Sequence, residues 1–254
     1  MSAWPSDQDL SPIPNADTVK KNDPSFDNLI EQLGLLNTPV SREGTGTIIV
    51  QAPGERYRFQ FRLIARGPEA LRMEIFDPFG RPTVYLVSFQ GEIRLFSIPQ
   101  KKEIPFSLPS SGPWSTFPQI PFFEFLKLLW GRVPLFPYQS HQVSMNMEKG
   151  AKLTKLLLLG SVQQELWVTP DPFSLTRSRL TNASNKEQIE IVFSDFSGVA
   201  GNRTPMRCEI KDGPGENVLT IRYETLILRS DISDEIFRLT EFFDSQPSAK
   251  EKKP

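Results

Sequence analysis

Residues 56–66, RYRFQFRLIAR, alternate almost without a break. Tyr57, Phe59, Phe61, Leu63 and Ala65 fall on one side, and Arg56, Arg58, Gln60, Arg62 and Arg66 on the other, with Ile64 out of step. A side-chain period of two belongs to an extended strand, whose successive side chains leave on opposite faces. Arginines along one face need water there and aromatics along the other need cover. The run therefore predicts an antiparallel sheet packed on one face, rather than a parallel sheet covered on both.

Carried along the chain, the same reading expects a mainly β protein. Phe26, Leu29, Ile30 and Leu33 recur at helical spacing, so a short amphipathic helix is expected over 26–36. Strands follow at 44–51, 56–66, 71–75, 83–89, 92–98 and about 103–108. A second helix is expected over 119–130, QIPFFEFLKLLW, with Pro121 near its start and Gly131 just after its end. It is apolar nearly all round, except for Glu124 and Lys127. Strands resume at 142–147, 152–159, 162–169, 173–181, 187–194, 204–211 and 217–228. Asp212-Gly213-Pro214-Gly215 marks a hairpin turn before the last strand. About a dozen antiparallel strands at this spacing suit a sandwich or a barrel, and no fixed-period repeat points to a propeller or solenoid. The expected organisation is a polar leader at 1–25, one domain at 26–243 and a solvated tail at 244–254. Glu74 is expected to pair across strands with Arg62 or Arg66.

Composition removes several classes of function. With 29 basic and 30 acidic residues the formal net charge is −1, without the basic excess of a nucleic-acid binder. The single cysteine, Cys208, alternates with Met206 and Ile210 and is read as a buried core thiol. His141, the one histidine, rules out a multi-histidine metal site and is read as a solvated loop residue. Phosphate-loop, dinucleotide and nucleophile-elbow motifs are all missing. Asp195, Glu209, Glu224, Asp231, Asp234 and Glu235 are candidates for a catalytic carboxylate pair, and a wet sheet face or loops account for most of them. No catalytic residue, metal or cofactor is expected. Residues 1–22 carry no apolar signal core, which leaves an intracellular chain or one whose export signal lies outside the sequence.

Apolar aromatic content is the remaining signal. Phenylalanine numbers 19 and concentrates between Phe59 and Phe125. An ordinary aromatic core and an apolar cavity covered by the second helix predict the same pattern. The helix is too apolar to be satisfied by one sheet and needs a second apolar neighbour. One phenylalanine, Phe79, sits at the tip of a turn, Asp77-Pro78-Phe79-Gly80, where a polar or small residue is usual.

The run EGTGTIIVQ, the strand RYRFQFRLIAR, the stretch ALRMEIFDPFGRPTVYLV and the later FLKLLWGRVP together resemble the LolB outer-membrane lipoprotein receptors of the LolA-like superfamily. The likeness covers 44–134 in recognisable motifs and the later strands only as a pattern. It implies a single incomplete, half-open antiparallel β-barrel whose mouth is covered by helices, with an apolar cavity for lipoprotein acyl chains. It also implies that Pro78, Phe79 and Gly80 form a membrane-contact loop, against the alternative that Phe79 folds back on its own sheet. The expected cavity wall is Phe59, Phe61, Leu63, Met73 and Ile75, with Phe122, Phe125, Leu126 and Leu129 from the helix. The implied function is a non-enzymatic carrier or acceptor that helps deliver lipoproteins to the outer membrane. Its expected partners are acyl chains or lipid, a periplasmic carrier protein and, peripherally, a membrane. A monomer in the periplasm, associated with the outer membrane, is expected. The alternatives are an envelope-complex binding module of the same fold without lipid, and, behind it, a hydrolase. The chain departs from the family in lacking an N-terminal lipobox cysteine and in its longer second half.

Overall fold

Thirteen antiparallel strands form one sheet that does not close, with two α-helices among the described residues. The computed structural model describes residues 24–36, 41–67, 70–104, 122–129, 132–148, 151–182, 187–198 and 203–238. The strands are β1 (Ser41–Ala52), β2 (Glu55–Arg66), β3 (Ala70–Phe76), β4 (Pro82–Phe89), β5 (Glu92–Ser97), β6 (Lys102–Ile104) and β7 (Ser140–Glu148). They continue as β8 (Ala151–Leu159), β9 (Val162–Pro170), β10 (Phe173–Asn182), β11 (Gln188–Ser197), β12 (Thr204–Asp212) and β13 (Val218–Leu228). Helices α1 (Pro24–Leu36) and α2 (Phe122–Leu129) precede β1 and β7. Sheet order is β6-β5-β4-β3-β2-β1-β13-β12-β11-β10-β9-β8-β7, so chain neighbours pair except β6 and β7, which are the two edges, and β1 meets β13. This is the open-barrel class expected from the sequence. Positions 1–23 of the expected leader, the tail, and positions 105–108, 119–121 and 130 lie outside the described residues, while Pro24 and Ser25 open α1 two residues before its expected start.

Two compact units share these strands. One comprises Met1–Thr38, Ile48–Arg58 and Pro109–Tyr223; the other comprises Pro39–Thr47, Phe59–Leu108 and Glu224–Pro254. β1, β2 and β13 supply residues to both.

In the smaller unit the sheet is covered on both faces, which explains two irregularities of the sequence. Register pairs Leu63 with Met73 and Met73 with Leu86, and these three side chains share one buried face. The opposite face carries Ile64, Tyr85, Val87, Phe89 and Phe96, gathered with Ala70 under the segment that holds Ile232 and Phe237. A 3-10 helix, Asp234–Phe237, ends that segment, with the Ser233 hydroxyl accepting from the Glu235 N–H at its start. Ile64 breaks the alternation because it packs beneath this strap. β4 is apolar on both faces for the same reason. Burying Phe237, which is 2 % exposed, contributes roughly 1.5–3 kcal/mol.

Arginines of the same face fasten the strap. Arg66 donates to the Ile232 carbonyl at 3.1 Å and pairs with Asp234, and Arg72 donates to the Ile236 carbonyl at 3.2 Å. The expected Arg62–Glu74 or Arg66–Glu74 pair does not form. Arg62 and Glu74 are directly opposed in register. Arg62 instead turns to Glu43 at 2.7 Å, while Glu74 pairs with Arg72 at 3.1 Å. Glu43 also takes Arg229 at 2.6 Å, so one carboxylate joins three adjacent strands or their ends. β1 and β13 approach so closely at Gly44 that a Cβ there would stand 2.6 Å from the Thr225 carbonyl oxygen.

In the larger unit, α1 buries Phe26 and Leu33 and leaves Leu35 exposed, as its spacing requires. The Phe26 ring stacks on His141, centroids 3.4 Å apart and planes within 6°. His141 is thus a half-buried residue of β7 and not the solvated loop histidine expected, because the strand begins at Ser140, two residues before its expected start. Helix α2 buries Phe125, Leu126, Leu128 and Leu129, and its Glu124 and Lys127 pair at 2.7 Å. The Arg132 N–H closes its end on the Lys127 carbonyl at 2.9 Å. Gln164 of β9, fully buried, ties the following segment to the sheet. Its amide nitrogen donates to the Pro134 carbonyl at 2.7 Å and to the Ser178 hydroxyl at 3.1 Å, and its oxygen accepts from the Phe136 N–H at 3.2 Å.

Candidate membrane-contact loop and apolar wall

The β3–β4 turn is fixed by three residue choices. Asp77 opens it, Pro78 presets the first central φ, and Gly80 takes the left-handed conformation at φ +77. The Gly80 N–H donates to the Asp77 carbonyl at 2.9 Å, and the Asp77 N–H to the Arg81 carbonyl at 2.9 Å. Asp77 Oδ1 accepts from the N–H groups of Phe79 and Arg81, each at 2.9 Å, and Oδ2 accepts from Arg81 Nε at 2.8 Å. The Arg81 N–H, then its guanidinium and the Phe79 N–H, hold the Asp77 carboxyl below its usual 3.8.

Phe79 points away from its sheet. It is 83 % exposed, the most exposed of the large hydrophobic side chains described. Its company is the Arg81 guanidinium, 5.4 Å from the ring centroid. Pro78 and Gly80 are exposed beside it.

The five strand residues expected to line a cavity lie together on one face of the smaller unit. Phe61, Leu63 and Met73 are buried at 2 %, 0 % and 3 %, while Phe59 and Ile75 are half-buried. Register sets Phe61 opposite Ile75 and Ile75 opposite Val84. Cover along this face therefore thins toward the end of the hairpin that carries Phe79. Leu71, Val84 and Leu86 extend the same wall; Leu71 follows from its alternation with Met73 and Ile75, whereas β4 is apolar on both faces and its sequence does not tell Val84 and Leu86 from Tyr85 and Val87.

Phe125, Leu126 and Leu129 of α2 are buried in the larger unit, and Phe122 is placed on the helix with its side chain outside the described set. A separate cleft of about 280 Å³ opens beside the β11–β12 hairpin, among Arg179, Gln188, Glu190, Lys211 and Asp212. It holds none of the expected acyl-contact residues. Of the carboxylates weighed for catalysis, Glu209 pairs with Arg207 and Lys211, Asp234 with Arg66, and Glu224 accepts from Thr47. Among the described residues no three potential metal ligands cluster, and no helix is long and apolar enough to cross a membrane.

The open antiparallel sheet is a fold that solved structures share. No family profile and no curated protein matches the chain. Structures do: a LolA superfamily protein from Nitrosomonas europaea superposes with a TM-score of 0.62 at 17% identity, over 85% of this chain and 98% of that one. A putative outer membrane lipoprotein-sorting protein domain from Vibrio parahaemolyticus gives 0.57 at 9% identity, over 85% and 97%. A DUF1329 family protein from Desulfovibrio piger gives 0.61 at 10% identity, over 86% and 98%. The chain has the fold of the LolA/LolB-like superfamily, as its motifs implied.

Proposed function

We propose that the protein is a non-enzymatic carrier or acceptor of lipidated cargo in the cell envelope, which presents Phe79 to a membrane while apolar surfaces hold acyl chain. The observation that carries this reading is the 83 % exposure of Phe79 on a turn whose backbone is held by its own hydrogen bonds. A fixed aromatic tip suits a lipid interface, where the ring meets hydrocarbon and the adjoining Arg81 guanidinium stays at headgroup level. Burial there is worth roughly 1.5–3 kcal/mol, enough for reversible docking and too little for anchoring.

Two acyl-contact surfaces are assigned, each within its own unit. The first is the strand face of Phe59, Phe61, Leu63, Met73 and Ile75; the second is α2 with Phe122, Phe125, Leu126 and Leu129. Transfer would proceed by small differences in burial between donor and acceptor, without bond chemistry. The proposed setting is the periplasmic side of the outer membrane, with a periplasmic carrier protein delivering the cargo.

The test pairs Phe79→Glu with the wild type in lipoprotein transfer to liposomes, with native mass spectrometry of both for bound lipid. Transfer is expected to fall about ten- to a hundredfold with lipid still bound. Equal transfer by a folded variant removes the membrane role, and protein that never carries lipid removes the carrier role.

A further inference from the structure

The two edges of the sheet differ. β6, at one edge, is three residues long, follows Lys101 and contains Lys102 and Glu103. Charge, lysine above all, is how natural sheets blunt an edge. β7, at the other, runs nine residues, SHQVSMNME, with no proline, glycine or lysine and with Glu148 as its one formal charge. All nine pair with β8 on the inner side, and among the described residues no strand lies beyond. Its side chains are only partly covered, with Phe26 of α1 stacked on His141 and Gln142, Ser144 and Met145 exposed. None of the six described, Ser140 to Met145, is buried, and Met145 is 71 % exposed. An edge of this length exposes a row of backbone donors and acceptors that another strand can complete.

The sequence of β7 selects the occupant. Odd positions carry His141, Val143, Met145 and Met147; even positions carry Ser140, Gln142, Ser144, Asn146 and Glu148. Laid antiparallel on a second copy at full overlap, Ser144 meets Ser144, Val143 meets Met145, Gln142 meets Asn146 and Ser140 meets Glu148. Apolar positions then meet apolar ones, amides meet amides, and no like charges are opposed. Such a pairing is isologous and closes on itself, so it ends at two chains.

We propose that β7 is a self-pairing edge through which two copies of this chain join their sheets around a two-fold axis at Ser144. The arrangement covers Met145 with Val143 of the other copy and completes the open backbone row. It departs from the monomer expected from the sequence and does not depend on the lipid reading.

Full-length protein and two single-cysteine probes test it, with the buried Cys208 as a silent background. Opposed residues in an antiparallel pair hold their Cβ atoms about 4.5–5.5 Å apart, close to the span of a disulfide. Ser144→Cys should therefore cross-link to a dimer under mild oxidation. Gln142→Cys, offset from its own copy by four residues or about 13 Å, should not. Light scattering on wild-type protein at high micromolar concentration should give twice the chain mass, and Met145→Lys should return a folded monomer. A wild-type monomer, equal cross-linking of the two probes, or a dimer that survives Met145→Lys each overturns the proposal.

Discussion

The Asp77 carboxylate accepts the backbone N–H of Phe79 at 2.9 Å, so the residue that opens the turn also holds its tip. The same oxygen takes the Arg81 N–H, and the second oxygen takes the Arg81 side chain. An exposed aromatic ring thereby sits on a turn whose backbone polar groups are satisfied from within, and its outward pose does not depend on packing.

Asp77→Ala should free the tip without unfolding the sheet. Amide exchange at Phe79 and Arg81 is expected to accelerate while the β3–β4 ladder amides keep their protection. Asp77→Asn, which retains one acceptor oxygen, should fall between. The pH dependence has a fixed sign: a carboxyl whose folded pKa is depressed contributes above its ordinary value of 3.8 and loses that contribution as pH falls through the lowered one. Phe79 amide protection that is flat down through this acid range would show that the carboxylate does not hold the turn.

Glu43 offers a second acid-sensitive joint. Hydrogen bonds from Arg62, then from Arg229, hold its carboxyl below the usual 4.5. Its contribution is therefore complete above pH 4.5 and disappears as pH drops through the lowered value. The two arginine side chains are about half exposed, so solvent screens the pairs, and Glu43→Gln should cost about 1 kcal/mol and less in high salt. Urea midpoints at two salt concentrations measure this; a cost that grows with salt would contradict an electrostatic origin.

What the sequence disclosed depended on periodicity. The alternation of Tyr57 to Ala65 and the turn residues Gly213 and Gly215 placed strands and hairpins within a few residues of where they lie. The Asp-Pro-Phe-Gly turn located the exposed tip, and family motifs implied the fold. Interactions between distant segments were not legible. Ile64 looked like an error in the pattern because its cover, Ile232 and Phe237, comes about 170 positions later in a segment with no period of its own. Gln164 reads as any strand glutamine until Pro134 and Phe136 supply its partners. Glu74 stood opposite Arg62 as register arithmetic required, yet Arg72, two residues away on the same strand, took Glu74, and Glu43 of β1 took Arg62.

Phe237→Ala tests the strap. The ring is 2 % exposed, stacks on Phe89 at 5.8 Å between centroids, and lies under the Arg66 guanidinium. Truncation should destabilise the protein by about 3–5 kcal/mol, lowering the urea midpoint and exposing Ile64 and Val87 to solvent. A loss below about 1 kcal/mol would mean that the strap rests on the sheet without contributing a core. Arg66→Gln, which keeps the ring and removes the pair with Asp234, should cost far less.

Cys208 reports on the larger unit from its centre. It lies in β12 opposite Phe193 on one side and Ile221 on the other, and is fully enclosed. Burial, then the neighbouring Glu209 charge, pushes the thiol well above its usual pKa of 9.0, so the native protein presents no thiolate to an alkylating reagent near neutral pH. Iodoacetamide should therefore label Cys208 only through opening of the β11–β13 strands. Ile210→Ala, at a fully buried neighbour in β12, should destabilise by about 2–5 kcal/mol and accelerate labelling thirtyfold or more, by roughly the factor that loss implies. Labelling at one rate in native buffer and in urea would place the thiol at the surface and invert the assignment of that strand's faces.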